Sequence, residues 1–444
     1  MRDSPIVRPV LGVILLLGGA PALAQEKKPM SVDIRGATFN PLPIAVPDVV
    51  DASGAKDDAK RATDSLRWDF DASPLFKLLE PKGYLADPTK EGLGAAQIKF
   101  SDWTSIDAQL LVKAQVAVVD GKLVADFRLH DVLSGREQLK RTYGGAIGES
   151  RRFAHRFADD VVELLTGTRG VFSTRIAATK KTKRGSTEIV MVDFDGTNPE
   201  LVTNNGSINL LPAWARDGQS ILFTSYIRHN PNLFSIGLGG DVRPKQLIAE
   251  RGLNTGAAVS PDGRRVALTL SRDGNSEIYV ASIDGTGLQR LTNEWAIDSS
   301  PTWSPDGKQI AFVSARRGDP HIWIMNADGS GEAKRVTLRG NYNQTPDWNP
   351  NPDLHLIAFT ARDERNKFDI FTVNVDTSEI KRLTQDEGNN EEPSWSPDGN
   401  HLAFTSTREG RQQLWIMAFD GSRQRRIMKN GGYATPAWSP YVKE

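Results

Sequence analysis

The sequence predicts a mainly β protein, a six-bladed β-propeller preceded by a small α/β domain. Two observations indicate this fold class. A phrase of the type Pro-Xaa-Trp-Ser-Pro-Asp-Gly recurs six times in the second half of the chain, and its repeat length of about 45 residues is typical of four-stranded propeller blades. The central position of the phrase is occupied by Trp214, Val259, Trp303, Trp348, Trp395 and Trp438.

Each repeat predicts four strands. In the copy around Trp303, residues 301–303 form a short strand, and Ser304-Pro305-Asp306-Gly307 forms a turn in which Pro sets its φ and Gly accepts a positive φ. Further strands are predicted over residues 309–314, 321–325 and 335–337. Because one such unit cannot bury both of its faces, we expect the units to stack radially, with the repeated Trp packed between neighbouring blades.

The ends of the repeat region predict how the ring closes. The last phrase, at Trp438, has no strands after it, whereas three predicted strands precede the first phrase, over residues 173–179, 188–192 and 201–203. Together these segments complete one blade. We therefore expect its innermost strand to come from the carboxyl-terminal end, so that deletion of residues 435–444 would open the ring.

The first residues predict a secretory signal peptide. Arg2 and Arg8 precede an apolar run at residues 10–19, and Ala22-Leu23-Ala24 stands before Gln25 as a cleavage site. The run is too short to span a bilayer. The chain has no Cys, hence no disulfide and no lipid-attachment cysteine. The predicted division is a signal peptide at 1–24, a flexible segment at 25–36, an α/β domain at 37–168 and the propeller at 169–444.

Within the α/β domain, apolar spacing predicts helices over residues 56–70 and 151–165. Strands are predicted by apolar and β-branched runs bounded by turn residues, with hairpin turns at Asp120-Gly121 and Ser134-Gly135. These strands cover residues 43–46, 76–79, 108–119, 122–132 and 137–143.

Motifs for catalysis are missing from the sequence. It contains no Gly-Xaa-Ser-Xaa-Gly elbow, no phosphate loop and no His-Glu-Xaa-Xaa-His. Asp193-Phe194-Asp195-Gly196 resembles part of a calcium loop without the remaining ligands, and we interpret it as a hairpin turn. We therefore predict no enzyme, no cofactor and no metal site. An exported propeller hydrolase or sugar-active enzyme, and a propeller that binds a small ligand or calcium, remain alternatives.

Two polar sets recur with the repeat and are predicted to lie on one face. The first stands five residues before the Trp position, in the loops that lead into the inner strands: Asn209, Asn254, Asp298, Asn343, Asn390 and Tyr433. The second follows the second strands: Arg272, Arg316, Arg362 and Arg408. Turn stabilisation and local ion pairs explain both sets structurally. The functional hypothesis is that this face docks a protein.

Several segments are similar to the TolB family of periplasmic Tol–Pal proteins. They are the apolar leader, the small α/β domain, the junction Leu165-Thr166-Gly167-Thr168-Arg169-Gly170-Val171-Phe172-Ser173-Thr174-Arg175-Ile176-Ala177, the repeat, and the ending Pro436-Ala437-Trp438-Ser439-Pro440-Tyr441. The chain departs from the family pattern at Val259, at the fourth turn, which lacks Gly, and in the charged start Gln25-Glu26-Lys27-Lys28-Pro29.

The resemblance implies a non-catalytic adaptor in the periplasm that maintains outer-membrane integrity and envelope constriction during division. It implies binding of the lipoprotein Pal at the propeller mouth and communication with TolA through the amino-terminal region. Outer-membrane lipoproteins, porins and colicins are further implied partners, whereas nucleic acid is not; the protein is expected to be a monomer that is not embedded in the membrane. The residues expected at the mouth are both polar sets together with Ser299, Glu391 and Glu392. The segment expected to reach TolA includes Val32, Asp33, Ile34 and Arg35.

Overall fold

A computed structural model describes residues 40–87, 90–182, 185–239, 243–385 and 387–442. The amino-terminal domain is a sheet with two long helices. Its sheet has the order β3-β1-β4-β5-β6, and β2 also pairs with β4. The elements are β1 Leu42–Ala45, β2 Val50–Ser53, α1 Lys56–Ala72, β3 Phe76–Leu78, α2 Phe100–Thr104, β4 Leu110–Val119, β5 Lys122–Asp131, β6 Arg136–Gly145 and α3 Ser150–Thr166.

Both long helices bury the apolar face that their sequence spacing predicts. In α1, Leu66 and Phe70 are fully buried, and in α3, Phe157 stacks on Phe127 of β5 with ring centroids 5.3 Å apart. Helix α3 ends at Gly167, whose φ of 76° is the left-handed conformation that commonly closes a helix. The predicted helices and the predicted meander of strands are therefore confirmed, with boundaries shifted by one or two residues.

The rest of the chain forms six four-stranded antiparallel sheets arranged as propeller blades. Blade 1 is β10 Asn209–Trp214, β11 Ser220–Arg228, β12 Asn230–Gly237 and β13 Lys245–Ile248; blade 2 is β14 Asn254–Val259, β15 Arg265–Leu270, β16 Glu277–Ser282 and β17 Gln289–Arg290; blade 3 is β18 Asp298–Trp303, β19 Gln309–Ser314, β20 His321–Asn326 and β21 Lys334–Arg335. Blade 4 is β22 Asn341–Trp348, β23 Leu356–Arg362, β24 Phe368–Asn374 and β25 Ile380–Arg382; blade 5 is β26 Asn390–Trp395, β27 His401–Ser406, β28 Gln413–Ala418 and β29 Arg425–Arg426.

Blade 6 confirms the predicted closure of the ring. Its order is β30-β7-β8-β9, where β30 is Tyr433–Trp438, β7 is Arg175–Lys181, β8 is Thr187–Asp193 and β9 is Glu200–Leu201. Strand β30 pairs antiparallel with β7, Tyr433 opposite Lys180 and Trp438 opposite Ile176. The fourth strand begins and ends earlier than the predicted 201–203.

The repeated Trp side chains pack between blades as predicted. Trp303 shares a hydrophobic cluster with Ile278 and Val280 of the preceding blade. Its indole N–H donates to the carbonyl oxygen of Ala258 at 2.9 Å, also in that blade. Trp214 and Trp395 make the same contact, with indole N–H bonds to the carbonyl oxygens of Ala437 at 2.9 Å and Asp347 at 3.0 Å in the preceding blades.

Every inner strand carries a bulge three residues before its Trp position. The register shifts at this point in all six inner strands, and the bulged residue has a φ between 47° and 66°. Gly256 adopts this left-handed conformation without steric cost, but the other five residues do so with side chains. They are Leu211, Ser300, Thr345, Glu392 and Thr435.

The bulge changes which residues of the inner strand are buried. The residue five positions before Trp, which the sequence analysis placed in a loop, belongs to the inner strand and is buried. In blade 1, Asn209, Pro212 and Trp214 are buried, whereas Leu210 and Ala213 keep partial exposure. The extra residue shifts the alternation by one, so that the strand turns the side chain of Asn209 inward.

The amino-terminal domain packs on one end of the propeller. Each inner strand runs from one end of the channel to the other and finishes at the Trp position. Because neighbouring strands in a blade are antiparallel, the turns between the third and fourth strands lie at this Trp end. The domain contacts two of these turns: Arg423 donates to the Phe76 carbonyl oxygen at 2.8 Å, and Arg151 pairs with Asp195 at 3.0 Å. We call this end the far face and the other end the mouth face.

Among the described residues, no helix has the length and apolar character needed to cross a membrane. The predicted signal peptide with its cleavage site at Ala22, Ala24 and Gln25 lies outside the described residues, as does the segment at 25–36 with Val32, Asp33, Ile34 and Arg35.

Candidate docking face and channel

The polar set five residues before Trp connects successive blades. Asn209, Asn254, Asp298, Asn343 and Asn390 are at most 1% exposed, and Tyr433 is also buried. The amide of Asn390 donates to Asp369 at 2.9 Å, and that of Asn209 donates to Glu188 at 3.0 Å. Asp369 and Glu188 are each the second residue of the third strand in the preceding blade. The side chains therefore hold the mouth loops in place from beneath.

A threonine after the fourth strand completes this buried connection in four blades. Thr384 donates to Asp369 at 2.6 Å and Thr292 donates to Glu277 at 2.6 Å. In blade 3 the acidic position is taken by His321, which contacts Thr337 at 3.2 Å and Asn343 at 3.0 Å. Burial lowers the pKa of His321. A neutral imidazole fits this buried place between two uncharged side chains. His321 therefore has a structural role in the blade.

The arginine set meets the first set. Arg316 pairs with Asp298 at 2.6 Å, and Arg408 donates to the side-chain oxygen of Asn390 at 2.8 Å. Each arginine also lies over an aromatic ring of its own blade, at 4.9 Å for Arg316 on Trp323 and 4.3 Å for Arg408 on Trp415.

The other two arginines are also held by neighbours. Arg272 lies beside Asp273 and Tyr279, and Arg362 lies over Tyr342. Burial raises the pKa of Asp298, and the Arg316 guanidinium acts against that rise. The guanidinium groups thus stabilise the mouth ends of the inner strands through ion pairs, hydrogen bonds and contacts with aromatic rings.

The remaining predicted mouth residues lie on the inner strands, and Glu392 borders the axial channel. Ser299 and Glu391 are partly exposed at the position after the buried set. Glu392, at the bulge of β26, accepts hydrogen bonds from Thr405 at 2.9 Å and from the backbone N–H of Thr435 at 2.6 Å. Burial raises the pKa of both glutamates, and the charge of Glu392 adds to the rise at Glu391.

The mouth face exposes large apolar side chains among its charged loop residues. Six of the seven large apolar side chains exposed on the described part of the propeller lie there, and Leu201 on an outer strand is the seventh. We call these six the apolar arc: Ile208, Ile227, Leu253, Trp295, Ile297 and Leu338. They belong to blades 1 to 3 and to the loop that enters blade 4. A concentration of exposed large apolar side chains on one end of a molecule is typical of interaction sites.

Sequence reasoning selected the loops of the apolar arc but not its side chains. Ile208, Leu253 and Ile297 stand six residues before the Trp position, directly before the buried polar set. The sequence did contain a signal for the arc, because an aliphatic residue occupies this position in three successive copies. Trp295, with 78% exposure, lies two residues before Ile297. A groove of about 420 Å³ beside it is lined by Arg317, Trp323 and Glu332, among others.

The axis of the propeller holds a cavity of about 490 Å³. All six blades contribute to its walls, with the bulged residues and the residues that follow them to the Trp position, and five blades add the proline two residues after that position. Three acidic or basic side chains interrupt this lining, Arg216, Asp347 and Glu392. The cavity therefore occupies the half of the channel nearer the far face.

Across the described ranges, no group of three or more His, Asp or Glu side chains could hold a metal ion. The Asp193–Gly196 segment is a turn after β8, in which the backbone N–H of Asp193 donates to the carbonyl oxygen of Thr197 at 3.0 Å. Asp195 instead pairs with Arg151 and with His155 of the amino-terminal domain. This turn is thus part of the contact between the two domains.

Comparisons with known proteins agree with this architecture. The family model described as "TolB amino-terminal domain" matches residues 30–138. The model described as "TolB beta propeller domain" matches residues 162–368 and 351–444. The Tol-Pal system protein TolB of Anaeromyxobacter dehalogenans strain 2CP-C is 43% identical over 438 residues, which cover 98% of this chain and 99% of that protein. The same protein of Myxococcus xanthus strain DK1622 is 43% identical over 434 residues, covering 97% and 98%.

A solved structure shows the same arrangement of domains. The crystal structure of TolB from Acinetobacter baumannii superimposes with a TM-score of 0.78 at 26% sequence identity. The match covers 91% of this chain and 98% of that chain.

Proposed function

The chain belongs to the TolB family, and from this premise we propose that it is a non-catalytic adaptor that binds the lipoprotein Pal at the mouth face. Family membership supports a role as a periplasmic component of the Tol–Pal system. The apolar arc is the observation that supports docking at the mouth face. It is the largest concentration of exposed apolar side chains on the described propeller, and no part of the described chain covers it.

The far face supports the other half of the proposal. The amino-terminal domain occupies that face, so the two ends of the propeller are available to different partners. TolA is the proposed partner of the amino-terminal region, through the segment at 25–36. In this arrangement one partner binds at the mouth while the other binds the opposite end, as an adaptor between the two membranes requires. Outer-membrane integrity and constriction during division are the proposed consequences.

The polar sets contribute to this function by positioning the arc. Asn209, Asn254 and Asp298 directly follow Ile208, Leu253 and Ile297, and their buried hydrogen bonds fix the backbone from which the aliphatic side chains project. Ser299 and Glu391 are partly exposed near the mouth ends of their inner strands. We propose that Pal contacts the arc and these two residues, and that the buried residues act through the loops.

Titration calorimetry of the purified protein with the periplasmic domain of Pal from the same organism tests the proposal. An Ile297→Asp variant places a charge in the centre of the arc and should weaken binding at least about tenfold, which is about 1.4 kcal/mol. The matched control is Leu201→Asp, an exposed leucine outside the mouth face, which should bind like the wild type. Equal loss in both variants, or unchanged binding by folded Ile297→Asp, would place Pal elsewhere.

A further inference from the structure

The axial cavity is lined almost entirely by residues that repeat from blade to blade. Two residues after Trp, five of the six copies carry proline: Pro261, Pro305, Pro350, Pro397 and Pro440. All five border the cavity. Blade 1 alone has a charged residue at this position, Arg216, and its side chain also borders the cavity.

Arg216 has no carboxylate partner within the described chain. Its guanidinium makes one long hydrogen bond, from Nε to the carbonyl oxygen of Ser260 at 3.4 Å. Arg216 is exposed to solvent, and partial desolvation of its guanidinium by the surrounding protein lowers the pKa of Arg216. A guanidinium retains its charge in proteins, so an unneutralised cation faces the cavity.

Asp347 is the matching exception on the opposite wall. The position directly before Trp is Ala, Thr or Ser in the other five copies, and only blade 4 has an acidic residue there. One oxygen of Asp347 accepts the backbone N–H of Trp395 at 2.7 Å and the other accepts the hydroxyl of Thr302 at 3.3 Å. Both partners are neutral, and no basic group of the described chain lies within ion-pair distance.

The two charges face each other across the channel without touching. Blades 1 and 4 are diametrically opposite in a ring of six. Arg216 acts on Asp347 electrostatically, but the two side chains form no ion pair. The lining between them is mixed: proline rings alternate with hydroxyl side chains such as Ser300, Thr345 and Thr435.

We propose that the axial cavity is a binding site for a small zwitterion of the amino-acid class, whose carboxylate pairs with Arg216 and whose ammonium pairs with Asp347. Guanidinium and carboxylate groups are the natural partners of these two ends, and the proline rings of the lining accommodate the carbon chain between them. A cavity of about 490 Å³ holds a molecule of this size with accompanying water. The site is separate from the apolar arc, and the inference does not depend on the proposed function.

A series of ω-amino acids measures this site directly. Glycine, 3-aminopropanoate, 4-aminobutyrate and 6-aminohexanoate keep both charges but separate them by increasing distances. Butyrate and butylamine carry one charge each. In titration calorimetry at pH 7.5 and low salt, we expect one chain length to bind at least tenfold more tightly than both single-charge compounds.

The repeat itself supplies the matched variants. Arg216→Pro introduces the residue of the five other copies. Asp347→Ser introduces the residue of blade 5, where Ser394 accepts the backbone N–H of Trp438 at 3.0 Å as Asp347 accepts that of Trp395. Arg264→Gln removes a positive charge outside the cavity and serves as the control. Thermal melting establishes that all three variants are folded.

Arg216→Pro and Asp347→Ser should each weaken binding of the preferred ω-amino acid at least tenfold, whereas the control Arg264→Gln should leave its affinity unchanged. Three results overturn the inference: no member of the series binds the wild type, butyrate binds as tightly as the best zwitterion, or a folded Arg216→Pro or Asp347→Ser variant binds like the wild type. A variant that does not fold is replaced by Arg216→Gln or Asp347→Asn, with the same expectation.

Discussion

The two faces of the propeller are built from the same repeated strands but present different chemistry. The far face is charged and covered: Asp195 and Arg423 contact the amino-terminal domain there. The mouth face is not covered by the described chain and exposes apolar side chains among charged ones, with Ile208, Leu253 and Ile297 in three successive loops. The same repeated strands therefore build one end that packs on the amino-terminal domain and one end that is open to a partner. Substitutions at the far face should change stability, and those at the mouth face should change binding.

The far face should show the largest effect, at His155. Its Nδ1 lies 2.7 Å from Asp69 and its Nε2 lies 3.5 Å from Asp195, so that one ring joins helix α1, helix α3 and the propeller. Burial opposes protonation of the ring, but the two carboxylates outweigh it and raise the pKa of His155. His155→Ala would leave Asp69, which is fully buried, without its charge partner. We expect a loss of about 3–5 kcal/mol in the free energy of unfolding.

The chain offers an exposed histidine pair as the control for this prediction. His355 lies 2.8 Å from Asp376, but both side chains are at least half exposed. His355→Ala should change the free energy of unfolding by less than about 0.5 kcal/mol. Urea denaturation followed by circular dichroism compares the two variants. Similar small effects would show that the contact between the domains does not depend on the His155 network.

Between the two faces, Asp347 should make stability depend on pH. Burial raises the pKa of Asp347 to about 6, above the ordinary value of 3.8, while Trp395, Thr302 and Arg216 act against the rise. The folded state therefore holds a proton that the unfolded state has lost, and stability falls as the pH rises from about 4 to 6. Above pH 6 the full cost remains, about 3 kcal/mol for about two pKa units.

The difference in unfolding free energy between Asp347→Ser and the wild type isolates this effect. The variant should be the more stable protein at pH 7.5, by up to about 3 kcal/mol, and should lose this advantage near pH 4. Asp262, an exposed acid whose pKa is lowered by its hydrogen bond from Ser260, should show the opposite sign in an Asp262→Ser variant. A difference for Asp347→Ser that does not vary with pH would contradict the predicted titration.

The fold could be predicted because its information is local and repeated six times. The turn after Trp303 and the strand after it follow from residue types within one copy. The direction of the inner side chains could not be predicted, since counting alternate residues back from Trp303 turns Asp298 outward. The left-handed bulge at Ser300 adds one residue and reverses that result. Sequence alone gives no signal for a positive φ at a serine.

The contact between the domains was beyond sequence reasoning for a different physical reason. Asp69 and His155 are 86 positions apart on two helices of the amino-terminal domain, and Asp195 follows His155 by 40 positions in the propeller. The fold of the domain brings the first two together, and its contact with the propeller adds the third. A lone histidine on a helix and an Asp-Gly turn each have a simple local explanation. The same holds for Arg216 and Asp347, whose significance depends on lying across one cavity.

At the mouth face, Trp295→Ala should reduce partner binding without reducing stability. The indole is 78% exposed, so its removal should alter the free energy of unfolding by no more than about 0.5 kcal/mol. Exposed aromatic side chains at the centre of an interface often contribute about 2 kcal/mol, which corresponds to roughly a 30-fold loss of affinity for Pal. Calorimetry with Pal tests this, with Leu201→Ala as the control. A loss of stability that matches the loss of binding would instead assign Trp295 a structural role.

The smallest effect is expected at the edge of the far face, at Asp71. Its carboxylate pairs with Arg423 at 3.1 Å and Arg425 at 3.0 Å, but its side chain is 45% exposed and solvent weakens both pairs. Asp71→Ala should therefore cost about 1 kcal/mol, and less in 1 M salt, because ions screen exposed charges. Asp64→Ala, which removes the exposed pair with Lys60 within one helix, should cost about 0.3–0.5 kcal/mol and is the control. If Asp71→Ala costs as much as His155→Ala, and does so at both salt concentrations, the domains are held together as firmly at the edge of their contact as at its buried centre.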